Sequence, residues 1–324
     1  AARCRRMHLY AGYAGSAEVS LTNNATLEST SGQVGYLAGS QGIVTLDTST
    51  WTVSEEGQPL NLNVGVRGQG QIQATNSEIS ALNLVIGEQL GSTGAVSLSG
   101  GNLSITNNIY AGNMTTGSLT LTNGAHANPY ELFVGNQAGS AGSLTMNGSS
   151  ATISENVFIG FDGSGTFDAT NAALHAKALF LARNAGSTGS ATVSGGNITL
   201  TEDLHVGSGG TGNFTLTGGG VLHSDIANLG FDSSATGTMS VNGGTWQNTR
   251  AIFVGVSGNG TLNIGTGGLV ESESGYIAQR AGGTGAVNVD GGSWIMSNTL
   301  TLGVNGTAQM AISNGGQVSA EWSQ

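Results

Sequence analysis

Residues 230–255 read GFDSSATGTMSVNGGTWQNTRAIFVG, and residues 256–278 continue VSGNGTLNIGTGGLVESESGYIA. Both stretches end on an apolar residue followed by Gly or Ala, Val254-Gly255 and Ile277-Ala278. Both hold a short alternating run, Thr238-Met-Ser-Val241 and Thr261-Leu-Asn-Ile264. A Gly pair follows each run, Gly243-Gly244 and Gly267-Gly268, and then a further short strand-like segment. Apolar and polar residues that alternate over a few positions mark a half-buried strand and not a helix. One such segment cannot bury its apolar side alone, but a stacked neighbour of the same pattern can.

The same unit runs outward in both directions. Its anchor, the small residue after the apolar one, falls at 12, 38, 65, 87, 112, 135, 160, 182, 207, 230, 255, 278 and 303. Leu37-Ala38, Leu181-Ala182 and Ile277-Ala278 carry Ala in the anchor place. From residue 87 onward long and short steps alternate, and two steps make 47 or 48 residues. The long coil takes seven residues from its anchor to the next Gly (Gly94, Gly142, Gly189, Gly237, Gly285), and the short coil takes five. Gly at such corners permits the positive φ of a tight turn.

Aligned on these anchors, the chain resolves into columns. A mid-strand column reads Leu21, Leu46, Ala74, Leu98, Leu121, Met146, Ala169, Val193, Leu216, Val241, Ile264, Val289 and Ile312, all apolar. The next position is small and polar in every coil except at Gly265. Side chains alternate faces along a strand, so one column meets a core and the other meets water. The reading is an all-β, parallel β-solenoid of about thirteen coils of ~22–27 residues in a two-coil ~48-residue repeat. Residues 1–8 read as a non-repeat edge and 9–324 as a single solenoid domain, expected to be cut from a longer array. The first two steps are irregular, and Thr50–Pro59 reads as a modified corner.

Composition agrees. Of 324 residues 56 are Gly, two are Pro, and only 8% are charged. Pro cannot donate to a ladder, so its scarcity suits continuous sheets. One Cys excludes a disulfide framework or a multi-cysteine metal site. The net charge is −11, and without Arg3, Arg5 and Arg6 the rest stands at −14. An acidic surface repels phosphate, so no nucleic-acid partner is expected.

The unit Ala278-…-Gly285-Ala-Val-Asn-Val-Asp-Gly-Gly-Ser-Trp294, its relative from Gly230 to Trp246, and the companion from Val254 to Val270 resemble the repeat of large autotransporter passenger domains. The resemblance covers roughly residues 9–320. It implies a right-handed parallel β-helix in a secreted segment on the bacterial cell surface, exported through a C-terminal outer-membrane β-barrel translocator expected outside this chain. It further implies adhesion or cell–cell association. The partners would be a host or neighbouring-cell surface, glycans, or another copy of the chain itself.

Little in the sequence reads as chemistry, and no catalytic, cofactor-binding or metal residue is assigned. His8, His126, His175, His205 and His223 form no metal-spaced motif, although His205 and His223 share a coil. A polysaccharide-active enzyme needs two carboxylates in a cleft. The pairs to examine are Glu202 with Asp203, Glu55 with Glu56, Glu271 with Glu273, and Asp162 with Asp232, beside Arg183, Arg250 or Arg280. Trp246 and Trp294 share a slot with Leu103, Ala151 and Ile198, and Trp51 is placed with them. That company favours a core role over an exposed sugar-stacking track. The six Tyr do not align in one column. Thr120/Thr122 and Thr215/Thr217 suggest an ice-binding Thr array, but Met146-Asn147, Asp168/Thr170 and Val193-Ser194 interrupt it. A passive spacer is the remaining reading.

Overall fold

Parallel pairing of short strands builds the molecule, seen here in a computed structural model that describes residues 7–321. No helix occurs among the described residues. The chain divides into two compact units, Ala1–Glu155 and Asn156–Gln324. Each unit is a β-solenoid, with six coils in the first and seven in the second. Every coil gives one short strand to a narrow sheet, such as Ala251–Val254. It gives one strand of six or seven residues and one shorter strand to a wide sheet, such as Thr236–Asn242 and Thr245–Asn248. In some coils the last two fuse, as in Thr188–Leu200.

The register is the columns of the sequence. In the wide sheet of the second unit Ala169, Val193, Leu216, Val241, Ile264, Val289 and Ile312 pair in order. All but Ile312, 53% exposed on the last coil, are buried. In the first unit Leu21, Leu46, Ala74, Leu98, Leu121 and Met146 do the same. Burying one such side chain contributes about 1.5–3 kcal/mol.

Gly fixes how closely coils approach. A Cβ on Gly237 would lie 1.9 Å from the Val206 carbonyl oxygen on the preceding coil. One on the anchor Gly255, at φ +74°, would lie 2.1 Å from the Thr284 carbonyl oxygen. Where the anchor is Ala182 or Ala278 the residue still holds φ +55° or +56°.

One anchor differs from the sequence reading. Ala11 pairs with Val34, and Val34 with Val64. The second coil is therefore anchored at Val34-Gly35, not Leu37-Ala38; Leu37 is half-buried and Ala38 exposed. The cause lies further on. The expected modified corner is an antiparallel hairpin, Ser54 to Pro59 and Glu55 to Gln58, that adds residues to this coil. It lengthens the step from 35 to 65, and near-even spacing places the anchor too late. With the anchor at 35, the seven-residue approach holds here as well, from Gly35 to Gly42. Strand pairing also begins at His8, inside the expected edge; Arg3, Cys4, Arg5 and Arg6 lie outside the described residues.

The three described Trp share one inward slot and are fully buried. Each indole Nε1–H donates to a serine one coil earlier: Trp51 to Ser29, Trp246 to Ser224, Trp294 to Ser272, all at 3.0 Å. Three residues after each serine, the facing narrow-sheet position is small: Gly32, Ala227 or Gly275. Coils without Trp carry a larger residue there, such as Leu84 opposite Leu103 or Leu204 opposite Leu222. The bulk of an indole on one wall is matched by a missing side chain on the other. No large exposed Trp face remains among these three, so the sugar-stacking track is not made by them.

Candidate functional site

The most regular surface lies on the outward side of the wide sheet. Its side chains are set by two-residue alternation against the buried columns. In the second unit, strands Thr188–Leu200, Thr211–Thr217, Thr236–Asn242 and Asn259–Ile264 lie side by side in register. Counting Gly265 just after the last strand, they offer sixteen outward positions in four columns. Every one but Gly265 is Ser, Thr or Asn. All sixteen are exposed or half-buried. Neighbouring strands sit ~4.8 Å apart, and alternate residues along a strand ~6.7 Å apart. The result is a regular grid of hydroxyls, amides and Thr methyls with no charge and no ring. Its side chains bond along the stack: Thr188 donates to Ser164 at 2.9 Å and Asn288 to Asn263 at 2.9 Å.

This register corrects the Thr array as read from sequence. Met146 and Val193 belong to the buried column, so they do not interrupt the surface. The positions aligned with Thr120/Thr122 are Thr145 and Asn147, and those aligned with Thr215/Thr217 are Thr192 and Ser194. Only Asp168 and Asp290 bring charge to the equivalent columns elsewhere in the second unit.

The narrow sheet carries a second ladder that the sequence reading missed. Two residues before the anchors stand Tyr10, Tyr110, Phe133, Phe158, Phe180, His205, Phe253 and Tyr276. Three of the six Tyr therefore do share one column position. Phe180 stacks on Phe158 at 5.2 Å and on His205 at 4.7 Å; Tyr276 stacks on Phe253 at 5.1 Å. Phe161 and Phe231 meet Phe158 and His205 edge-on. Ring faces cover one another, so the ladder joins coils at about 0.5–1.5 kcal/mol per pair beyond area burial. Tyr10 differs: it is 41% exposed and meets Tyr13 and Tyr36 edge-on. The signal is a position, not a residue type, and following Tyr alone hides it.

The candidate titratable groups are mostly scattered. His205 lies in the narrow sheet with Nε2 at 3.7 Å from Asp203, and His223 lies in the wide sheet. His126 and His8 each bond a serine hydroxyl one coil on; His175 is exposed. Glu55 and Glu56 sit at the hairpin tip. Asp162 accepts from Asn184 at 2.8 Å, and Asp232 closes a turn with Ala235 in another coil. Glu202 and Asp203 bridge to neighbouring coils through backbone bonds.

Glu271 and Glu273 do come together. With His223 and Glu321 they line one open groove of about 450 Å³. Arg250 forks onto Asp225, and this hydrogen-bonded pairing, more than simple charge attraction, holds the Asp225 carboxyl below its ordinary range. Arg183 lies over the Phe180 ring at 5.3 Å. Among the described residues no group of three His, Cys, Asp or Glu converges as a metal site would require.

In the first unit a groove of about 570 Å³ is lined by Arg67, Glu88, Leu90, Asn113 and Met114. Burial pushes the Glu88 carboxyl above its ordinary range, opposed in part by Arg67. A carboxyl whose folded-state pKa is raised costs stability once it ionises. Wild type should therefore lose stability relative to Glu88→Gln as pH rises through that raised value, and match it in acid. Urea midpoints of the two proteins in acid and at neutral pH check this; equal midpoints at both would remove the burial argument.

No protein-family model, curated protein or solved structure matches this chain.

Proposed function

We propose that the chain is a non-catalytic attachment segment of the bacterial cell surface, an autotransporter-like passenger that holds cells to a host, to one another or to another copy. The observation that carries this reading is the sixteen-position grid of Ser, Thr and Asn on the wide sheet. Each polar contact on such a face is weak, but a fixed lattice of them engages together, and multivalency makes the sum strong. Low charge on the face lets another surface approach without paying a desolvation cost for ions. Secretion, and export through a β-barrel encoded outside these residues, belong to the same proposal and rest on the repeat resemblance.

The groove of Glu271, Glu273 and His223 favours a second reading, action on a polysaccharide. Cells that display the segment, tested for aggregation and for attachment, together with a glycan array probed with the purified chain, separate the two. Attachment without glycan shortening is the expected result. A glycan that is shortened on incubation would overturn the attachment reading.

A further inference from the structure

We propose that the polar grid of the second unit adsorbs to the surface of ice. This rests on the attachment reading above and names the surface that one face engages.

The grid lacks the side chains by which most partners are recognised. Phosphate recognition needs Lys or Arg. Sugar recognition leans on ring faces, and protein interfaces on Trp, Tyr and Arg anchors. None of these side chains stands among the sixteen outward positions, and nothing larger than Asn does. A crystalline water lattice needs none of them. It needs hydroxyl and amide groups that join its hydrogen bonding, methyl groups that sit between its molecules, and a spacing close to its own.

The grid meets each condition. One oxygen repeat on an ice surface is close to the ~4.8 Å strand separation that parallel pairing imposes. Thr is stiff at χ1, so its hydroxyl and methyl are already placed and little entropy is lost on contact. The backbone beneath is held on both sides by ladders, and the glycines at 189, 212, 237 and 260 keep the coils at closest approach. The four coils of the grid give a face of roughly 14 by 20 Å. Charge appears only at Asp168 and Asp290, outside the four central coils.

The test uses the whole chain. Ice-recrystallisation inhibition and uptake into growing ice are measured for wild type, for Thr215→Tyr combined with Thr238→Tyr, and for His175→Tyr, an exposed position on another strand segment. Thermal unfolding verifies that each remains folded. Wild type and His175→Tyr should restrain ice growth, and the double variant should lose most of the effect at equal concentration. Exclusion of wild type from growing ice, or equal losses in His175→Tyr and the double variant, would overturn the proposal. Cell association measured in parallel keeps the two readings apart. Association without ice uptake sinks the ice proposal and leaves attachment standing, and the loss of both sinks both.

Discussion

Replacing Gly275 by Leu and Trp294 by Leu together should cost much less stability than the two single changes added. Each single change breaks a size match. A Cβ on Gly275 would lie 2.7 Å from the Trp294 ring, so Gly275→Leu overpacks a fully buried site. Overpacking costs about 1–3 kcal/mol and more where the neighbour is a rigid ring, so ~3 kcal/mol is expected. Trp294→Leu leaves a cavity and strips Ser272 of its indole partner, at about 3–5 kcal/mol. The double variant rebuilds the Leu/Leu pair that Leu84 with Leu103 and Leu204 with Leu222 already use. Its cost should fall to about 2 kcal/mol, mostly the unpaired serine, which gives a coupling of several kcal/mol. Denaturant midpoints of the four proteins measure it. Additive losses would mean that the two residues do not share one space.

A single methyl at residue 237 should be as damaging as a lost Trp. The Cβ of Gly237→Ala would stand 1.9 Å from the Val206 carbonyl and 2.4 Å from the Gly230 nitrogen, both backbone. Neither can rotate away, so the coils must part and ladder bonds must lengthen. A loss of about 4 kcal/mol or more is expected, at the exceptional end for one methyl. The contrast is Gly243→Ala, where φ is +70° but nothing stands within 4 Å. Only the left-handed backbone resists there, at about 1–2 kcal/mol. The column of Gly237 is Gly in every described coil except the first and last, where it is Ala17 and Ala308. Thermal unfolding of the two variants compares them; similar losses would put the cost in backbone conformation and not in coil spacing.

Most of the fold was legible in the sequence because a solenoid repeats its physics every coil. The buried mid-strand column is legible residue by residue, from Leu21 to Val289. The misplaced anchor at Leu37-Ala38 shows where that logic fails. An inserted hairpin at 54–59 changes spacing without changing pairing, and spacing alone cannot tell the two apart. The Trp–Ser bonds were hidden for another reason: their partners are 22 residues apart, one coil, and no local motif links them. The aromatic ladder mixes Phe, Tyr and His with Asn228 and Thr301 at one geometric position, which a search by residue type passes over. In the Thr array Asp168/Thr170 is in register with Thr215/Thr217, whereas Met146 and Val193 stand one residue off, and a one-residue slip exchanges the core face for the water face. The acidic groove was partly legible. Glu271 and Glu273 were paired in sequence, whereas His223 and Glu321 join them only through stacking of successive coils.

On the proposed function, attachment resides in the outward grid and not in that groove. Cell association should be measured with three displayed chains: wild type, Thr215→Arg with Thr238→Arg, and Glu271→Gln with Glu273→Gln. Large cations in the grid should abolish association, and neutralising the groove should leave it near the wild-type level. Association that survives the grid variant and is lost in the groove variant would contradict the account.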